Sequence, residues 1–99
     1  MAYKIIVSPQ AQKEIENAID YYALYSTNAP KIFVTTLNNM YNILFTNPFL
    51  GRIAYKDIRA FKLNKFPYSL YFDVNETKNK VKIIACFHNK RNPNNRPNY

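Results

Sequence analysis

The chain has 99 residues, 47% of them hydrophobic, including nine tyrosines and seven phenylalanines, and carries a formal net charge of +8. That length makes one domain, which buries roughly two-thirds of its unfolded surface and holds a core without disulfides or a structural metal. The single cysteine, Cys86, excludes an internal disulfide and a cysteine-based zinc cluster, and suits a reducing compartment.

The first apolar run, Ile5-Ile6-Val7, stops at Ser8-Pro9. It is too short for a signal-peptide core or a membrane span, so a cytoplasmic protein with no membrane contact is expected. Tyr3 to Val7 reads as a short strand. Ser8 is placed to cap a helix with Pro9 in its first position. Ala11, Ile15, Ala18, Ile19 and Tyr22 then follow at helical spacing to about Tyr25.

Ser26-Thr27-Asn28 breaks that stripe, and Thr27 or Asn28 is expected to cap a second helix with Pro30 in its first turn. Phe33, Leu37, Met40 and Leu44 mark its buried face, and Asn47-Pro48 ends it. Two such stripes joined by a short connection describe an antiparallel helical hairpin.

Beyond Gly51, the only glycine, the period becomes two. Arg59, Phe61, Leu63 and Lys65 alternate with Ile58, Ala60, Lys62 and Asn64. Tyr68, Leu70, Phe72 and Val74 alternate with Ser69, Tyr71 and Asp73. After a loop at residues 75–79, Val81, Ile83, Ala85 and Phe87 alternate with Lys82, Ile84, Cys86 and His88. The expected fold is α+β with the order β-α-α-β-β-β. The helical hairpin packs on one face of a small, mainly antiparallel four-stranded sheet. Strand alternation puts Lys62, Asn64, Ser69, Tyr71, Lys82 and His88 on the other face, where a one-residue slip would reassign them. Residues 1–90 form the domain, and 91–99 a basic tail that either hangs free or straps across that face.

The charge is segregated. Lys4, Lys13 and Lys31 balance Glu14, Glu16 and Asp20 in the first half, so the whole net charge lies in residues 51–99. Such asymmetry points to a polyanion or an acidic protein as partner. No metal-ligand spacing and no phosphate-cradling glycine loop is present, so no cofactor is expected. Metal-free RNA cleavage through the 2′-hydroxyl needs a base, a proton donor and cations around the phosphorane. His88, Tyr68 or Tyr71, Lys62, Lys90 and Arg91 can supply those parts. The alternative for a lone histidine at a strand end is a structural or merely exposed role.

Several segments in this order resemble the RelE/ParE superfamily of bacterial type II toxins, often labelled plasmid-stabilisation proteins. They are Tyr3-Lys4-Ile5-Ile6-Val7-Ser8-Pro9-Gln10-Ala11, Asp20-Tyr21-Tyr22, Arg59, and Lys65-Phe66-Pro67-Tyr68-Ser69-Leu70-Tyr71-Phe72. Ile84-Ala85-Cys86-Phe87-His88-Asn89-Lys90-Arg91-Asn92-Pro93 completes the set. The resemblance runs along nearly the whole chain. It implies a growth-inhibiting toxin neutralised by a cognate acidic antitoxin in a hetero-oligomer.

One branch of the superfamily inhibits DNA gyrase, and the other cleaves mRNA on the ribosome without metal. For the nuclease branch, Lys62 matches a basic strand position and Lys90 or Arg91 a cation after the last strand. His88 falls close to the histidine-tyrosine end of some members, and Tyr99 stands for the C-terminal tyrosine of others. His88, Arg91, Lys62 and Tyr68 are the catalytic set expected if the chain is a nuclease. That branch carries an arginine just after the tyrosine, where this chain has Ser69. His88 followed by Arg91 and Pro93 is similar to the ParE-like branch; Arg59, Lys65, Lys82, Lys90, Arg96 and Tyr99 are the residues expected to meet the target or a nucleic acid. A ParE-like inhibitor is therefore the expected function, with a RelE-type endoribonuclease and a non-toxic basic RNA-binding module as alternatives.

Overall fold

A computed structural model describes residues 2–89. Strand β1 (Lys4–Val7) leads into helices α1 (Pro9–Ala23) and α2 (Ala29–Thr46). A short 3-10 turn (Pro48–Leu50) then precedes β2 (Arg52–Tyr55), β3 (Ile58–Lys62), β4 (Tyr68–Asn75) and β5 (Lys80–His88). The strands form one sheet in the order β1-β5-β4-β3-β2, with β1 parallel to β5 and the other pairings antiparallel. The α+β class and the helical hairpin are as expected. The sheet has five strands where the sequence pattern showed four.

The missed strand, β2, is four residues long and carries little pattern, since its one aliphatic residue of size, Ile53, is 65% exposed. It turns into β3 through Lys56, whose left-handed φ of 49° occupies a place where glycine or asparagine would have signalled a hairpin.

Ser8 caps α1 as its type and place require: its Oγ accepts from the Ala11 N–H at 3.1 Å, and Pro9 opens the helix. The cap of α2 departs from expectation. Asn28 stands at the N-cap position without a side-chain bond, and Ser26 Oγ accepts from the N–H groups of Asn28 (3.1 Å) and Ala29 (3.2 Å). An Asn28 backbone already in the helical region keeps its own side chain from reaching back to these donors.

Ala11, Ile15 and Ala18 of α1 and Phe33, Leu37, Met40 and Leu44 of α2 pack against Leu70, Phe72, Val81, Ile83 and Cys86. The sheet thus lays one face on the hairpin, and among the described residues no helix covers the other. Under that layer the 3-10 turn runs close to the core at Gly51, where an added Cβ would lie 2.6 Å from Phe72 Cζ and 3.1 Å from the Ala60 carbonyl oxygen.

The face assignment of β5 needs correction. Opposite residues of paired strands share a face. Val74 opposes Val81 and Phe72 opposes Ile83, but Tyr71 opposes Ala85, so Ile84 is an extra residue, a β-bulge. Past it the alternation reverses. Leu70 opposes Cys86 and Tyr68 opposes His88, both on the helix side, while Ala85 and Phe87 turn to the open face. The expectation that Cys86 and His88 share the open face with Ser69 and Tyr71 is overturned by this one inserted residue. Asn64 also leaves that face, because β3 ends at Lys62 and Asn64 belongs to the following loop.

Candidate functional site

The open face mixes polar and apolar residues of each strand. Lys62 opposes Ser69, which opposes Phe87, and Ala60 opposes Tyr71, which opposes Ala85. Asp73 opposes Lys82, which neighbours Ile6 on β1. Lys62 and Lys82 are exposed, Ala85 is buried, and the Tyr71 and Phe87 rings lie tilted to one another with centroids 5.7 Å apart. Cations and aromatic rings on one sheet face suit a polyanion or an acidic chain.

Ser69 is buried, 2% exposed, and its hydroxyl donates to Asn89 Oδ1 at 2.7 Å. The Asn89 N–H donates to the Pro67 carbonyl at 2.7 Å, so the end of β5 is tied to the start of β4. This latch was not read from the sequence, where Ser69 stood out only as the position lacking an arginine.

On the helix side, the Tyr68 and His88 rings meet edge to face at 5.1 Å. Tyr68 is only 5% exposed and belongs to an aromatic cluster with Tyr22, Phe33 and Phe66. His88 is half-buried. Tyr68 and His88 are brought together; Lys62 opposes Ser69 in register and lines the groove beside α2.

The other expected site residues scatter. Arg59 is half-buried on the helix side, with Nη1 donating to the Gly51 carbonyl at 2.8 Å and its guanidinium 5.0 Å over the Phe49 ring. Those contacts brace the 3-10 turn and the start of β2. Lys65 is exposed in the loop after β3 with a left-handed φ of 73°. Lys90, Arg91, Arg96 and Tyr99 lie outside the described residues.

Between α2 and the end of β3 runs a groove of about 480 Å³. Lys31, Lys62 and Lys65 border it above an apolar floor that includes Ile32, Ile43 and Phe61. A basic rim over an apolar floor suits an amphipathic acidic segment.

The Cys86 thiol is pushed from 9.0 up to about 12, by burial first and by the Glu14 carboxylate second. It therefore stays protonated at neutral pH and is a core group, not a nucleophile. Among the described residues no cluster of three or more His, Cys, Asp or Glu is placed to hold a metal ion. No described helix is long and apolar enough to cross a membrane.

Comparison with known proteins bears on this geometry. The model of the ParE toxin of type II toxin–antitoxin systems (parDE) matches residues 5–93. The chain belongs to the ParE toxin family. Its fold is similar to a chain of the chromosomal ParDE system of P. aeruginosa, with a TM-score of 0.70 at 14% identity, covering 88% of this chain and 96% of that one. A chain of the M. tuberculosis RelBE2 toxin–antitoxin complex is similar with a TM-score of 0.65 at 13% identity, covering 89% and 99%. The isolated E. coli RelE toxin gives 0.64 at 18% identity, covering 91% and 87%. A search of curated proteins by sequence finds no match. The expected membership of the RelE/ParE superfamily, and with it the role of a type II toxin, therefore holds.

Proposed function

We propose that this toxin acts in the ParE manner, arresting growth by binding DNA gyrase or a related target, and that an acidic antitoxin neutralises it. One observation supports binding over cleavage: the cation that the nuclease branch places just after the tyrosine is absent here. Lys62 lines the groove beside α2, while His88 packs on Tyr68 at the far end of β5. The position that carries an arginine in the nuclease branch holds a buried Ser69 bonded to Asn89. Alignment of an acid, a base and a cation within a few ångströms is what such catalysis requires.

In this reading Lys82 and Lys62 on the open face, together with Lys65 and the tail cations Lys90, Arg91 and Arg96, meet the target, and Tyr99 adds an aromatic contact. The basic groove beside α2 receives an amphipathic acidic stretch of the antitoxin. Structures of RelBE complexes from E. coli and from Pyrococcus horikoshii, whose toxin chains share this fold, support such a hetero-oligomer. Compartment follows from target: gyrase and ribosomes are cytoplasmic.

Adding the purified protein to a defined cell-free translation reaction and mapping mRNA 5′ ends tests the reading, with wild type and His88→Ala in parallel. Intact mRNA from a folded, growth-arresting protein is expected. New ends inside codons that need translating ribosomes and vanish in the variant would replace this reading with the RelE-type nuclease. A chain that binds RNA without arresting growth would instead be the non-toxic module.

A further inference from the structure

The bulge in β5 is where the backbone most needs outside help. The parallel ladder from β1 ends at Val7 opposite Ile83, with Ser8 N–H donating to the Ile83 carbonyl at 2.9 Å. Past that point the chain turns into α1, and among the described residues no strand lies beside this edge of β5 from Ile84 onward. The extra residue of a bulge also loses its ladder bonds toward the other neighbour. Half-buried backbone groups left this way must find partners.

Two side chains of the α1 segment supply them. Ser8 Oγ donates to the Ile84 carbonyl at 3.4 Å, and Glu14 Oε1 accepts from the Cys86 N–H at 2.8 Å. The other Glu14 oxygen accepts from Gln10 Nε2 at 3.4 Å, which sets the carboxylate's rotation. A bond from a backbone N–H to a carboxylate is among the stronger hydrogen bonds, and here it stands in for the missing strand.

We infer that Glu14 is a positioning residue: by accepting the Cys86 N–H it holds the β5 bulge, and so keeps His88 on the helix side against Tyr68. The consequence follows from strand geometry. Were Ile84 paired in regular alternation and not bulged, Ala85 and Phe87 would face the helices and Cys86 and His88 the open face. Ala85 would then stand opposite Leu70 where Cys86 now stands, and Phe87 opposite Tyr68 in place of His88. A carboxylate on α1, 72 residues away in sequence, thereby decides which side of the sheet presents the imidazole. The inference goes beyond the proposed function and does not depend on it, because its readouts concern the folded chain and not growth.

The chain carries one cysteine and one histidine, so each gives an unambiguous signal. Reaction of Cys86 with Ellman's reagent and the His88 imidazole proton resonances are measured in wild type, Glu14→Leu, Glu14→Asp and Glu14→Gln. Wild type reacts slowly, with Cys86 3% exposed. Glu14→Leu lacks the acceptor, and Glu14→Asp retracts it by one methylene. Each raises the thiol rate about tenfold or more and shifts the His88 resonances with far-UV dichroism retained. Glu14→Gln keeps the acceptor oxygen and stays within about threefold of wild type, with His88 unmoved.

Wild-type rates and His88 signals in both Leu and Asp variants would overturn the inference, as would a Gln variant that behaves like Leu. If Glu14→Leu does not fold, the Asp and Gln pair carries the test alone. Growth arrest is assayed separately. Its loss in a variant with unchanged thiol and imidazole signals would count against the toxin reading's residue set and leave this inference standing.

Discussion

Replacing Gly51 by alanine sets two effects of opposite sign against each other. The backbone at Gly51, with φ −69° and ψ 145°, is ordinary for any residue. On conformational grounds alone, alanine stabilises by about 0.4–1 kcal/mol because the unfolded chain loses freedom. Sterically the site is closed. The new methyl would sit 2.6 Å from Phe72 Cζ and 3.1 Å from the Ala60 carbonyl oxygen. Phe72 is fully buried and cannot swing aside, and the carbonyl belongs to β3. Overpacking of this kind costs about 1–3 kcal/mol. The steric term wins, leaving a net loss of about 1–2 kcal/mol, and a domain of this size loses about 4–8 °C in Tm for each kcal/mol. Thermal unfolding followed by far-UV dichroism reads this directly. A Tm at or above wild type would mean that the 3-10 turn does not press on the core, and would refute the packing described under the sheet.

Arg59→Ala should lower stability by about 1.5–3 kcal/mol in urea unfolding, since it removes a charge-assisted bond to the Gly51 carbonyl and a cation over Phe49. An unchanged midpoint would show the arginine to be idle in the fold and return it to the target-binding set. Ser26→Ala should cost about 1 kcal/mol of stability, whereas Asn28→Ala costs only a few tenths; the reverse order would restore Asn28 as the cap of α2. Above pH 9 the unfolded chain gives up the Cys86 proton that the folded chain retains until about pH 12. Stability therefore falls as pH rises through that window, by up to about 4 kcal/mol from this group. Denaturant titrations across the window should show a shallower fall in Cys86→Ala, and equal slopes would contradict the burial of the thiol.

The helices were legible because each signal was local. Ser8-Pro9, the stripe from Ala11 to Tyr22 and the stripe from Phe33 to Leu44 all act within a few turns of the chain. The open-face lysines Lys62 and Lys82 were legible for the same reason, through the period of a strand. What escaped depends on distant partners. Residues 81–88 are apolar on both faces past Ile83, so nothing in their order marks Ile84 as extra. The groups that settle it, Ser8 and Glu14, lie 76 and 72 residues away. β2 escaped because its exposed Ile53 and the turn at Lys56 carry neither a buried pattern nor a glycine. The Ser69–Asn89 latch spans 20 residues and pairs two side chains that sequence alone gives no reason to join.

The most direct test of the central claim, a toxin that binds its target and does not cut RNA, is a DNA gyrase supercoiling reaction on relaxed plasmid with the purified full chain. The account expects supercoiling to stop, and to stop equally well with His88→Ala, whose ring packs on Tyr68. Unimpeded supercoiling, together with ribosome-dependent cleavage of mRNA that requires His88, would contradict it.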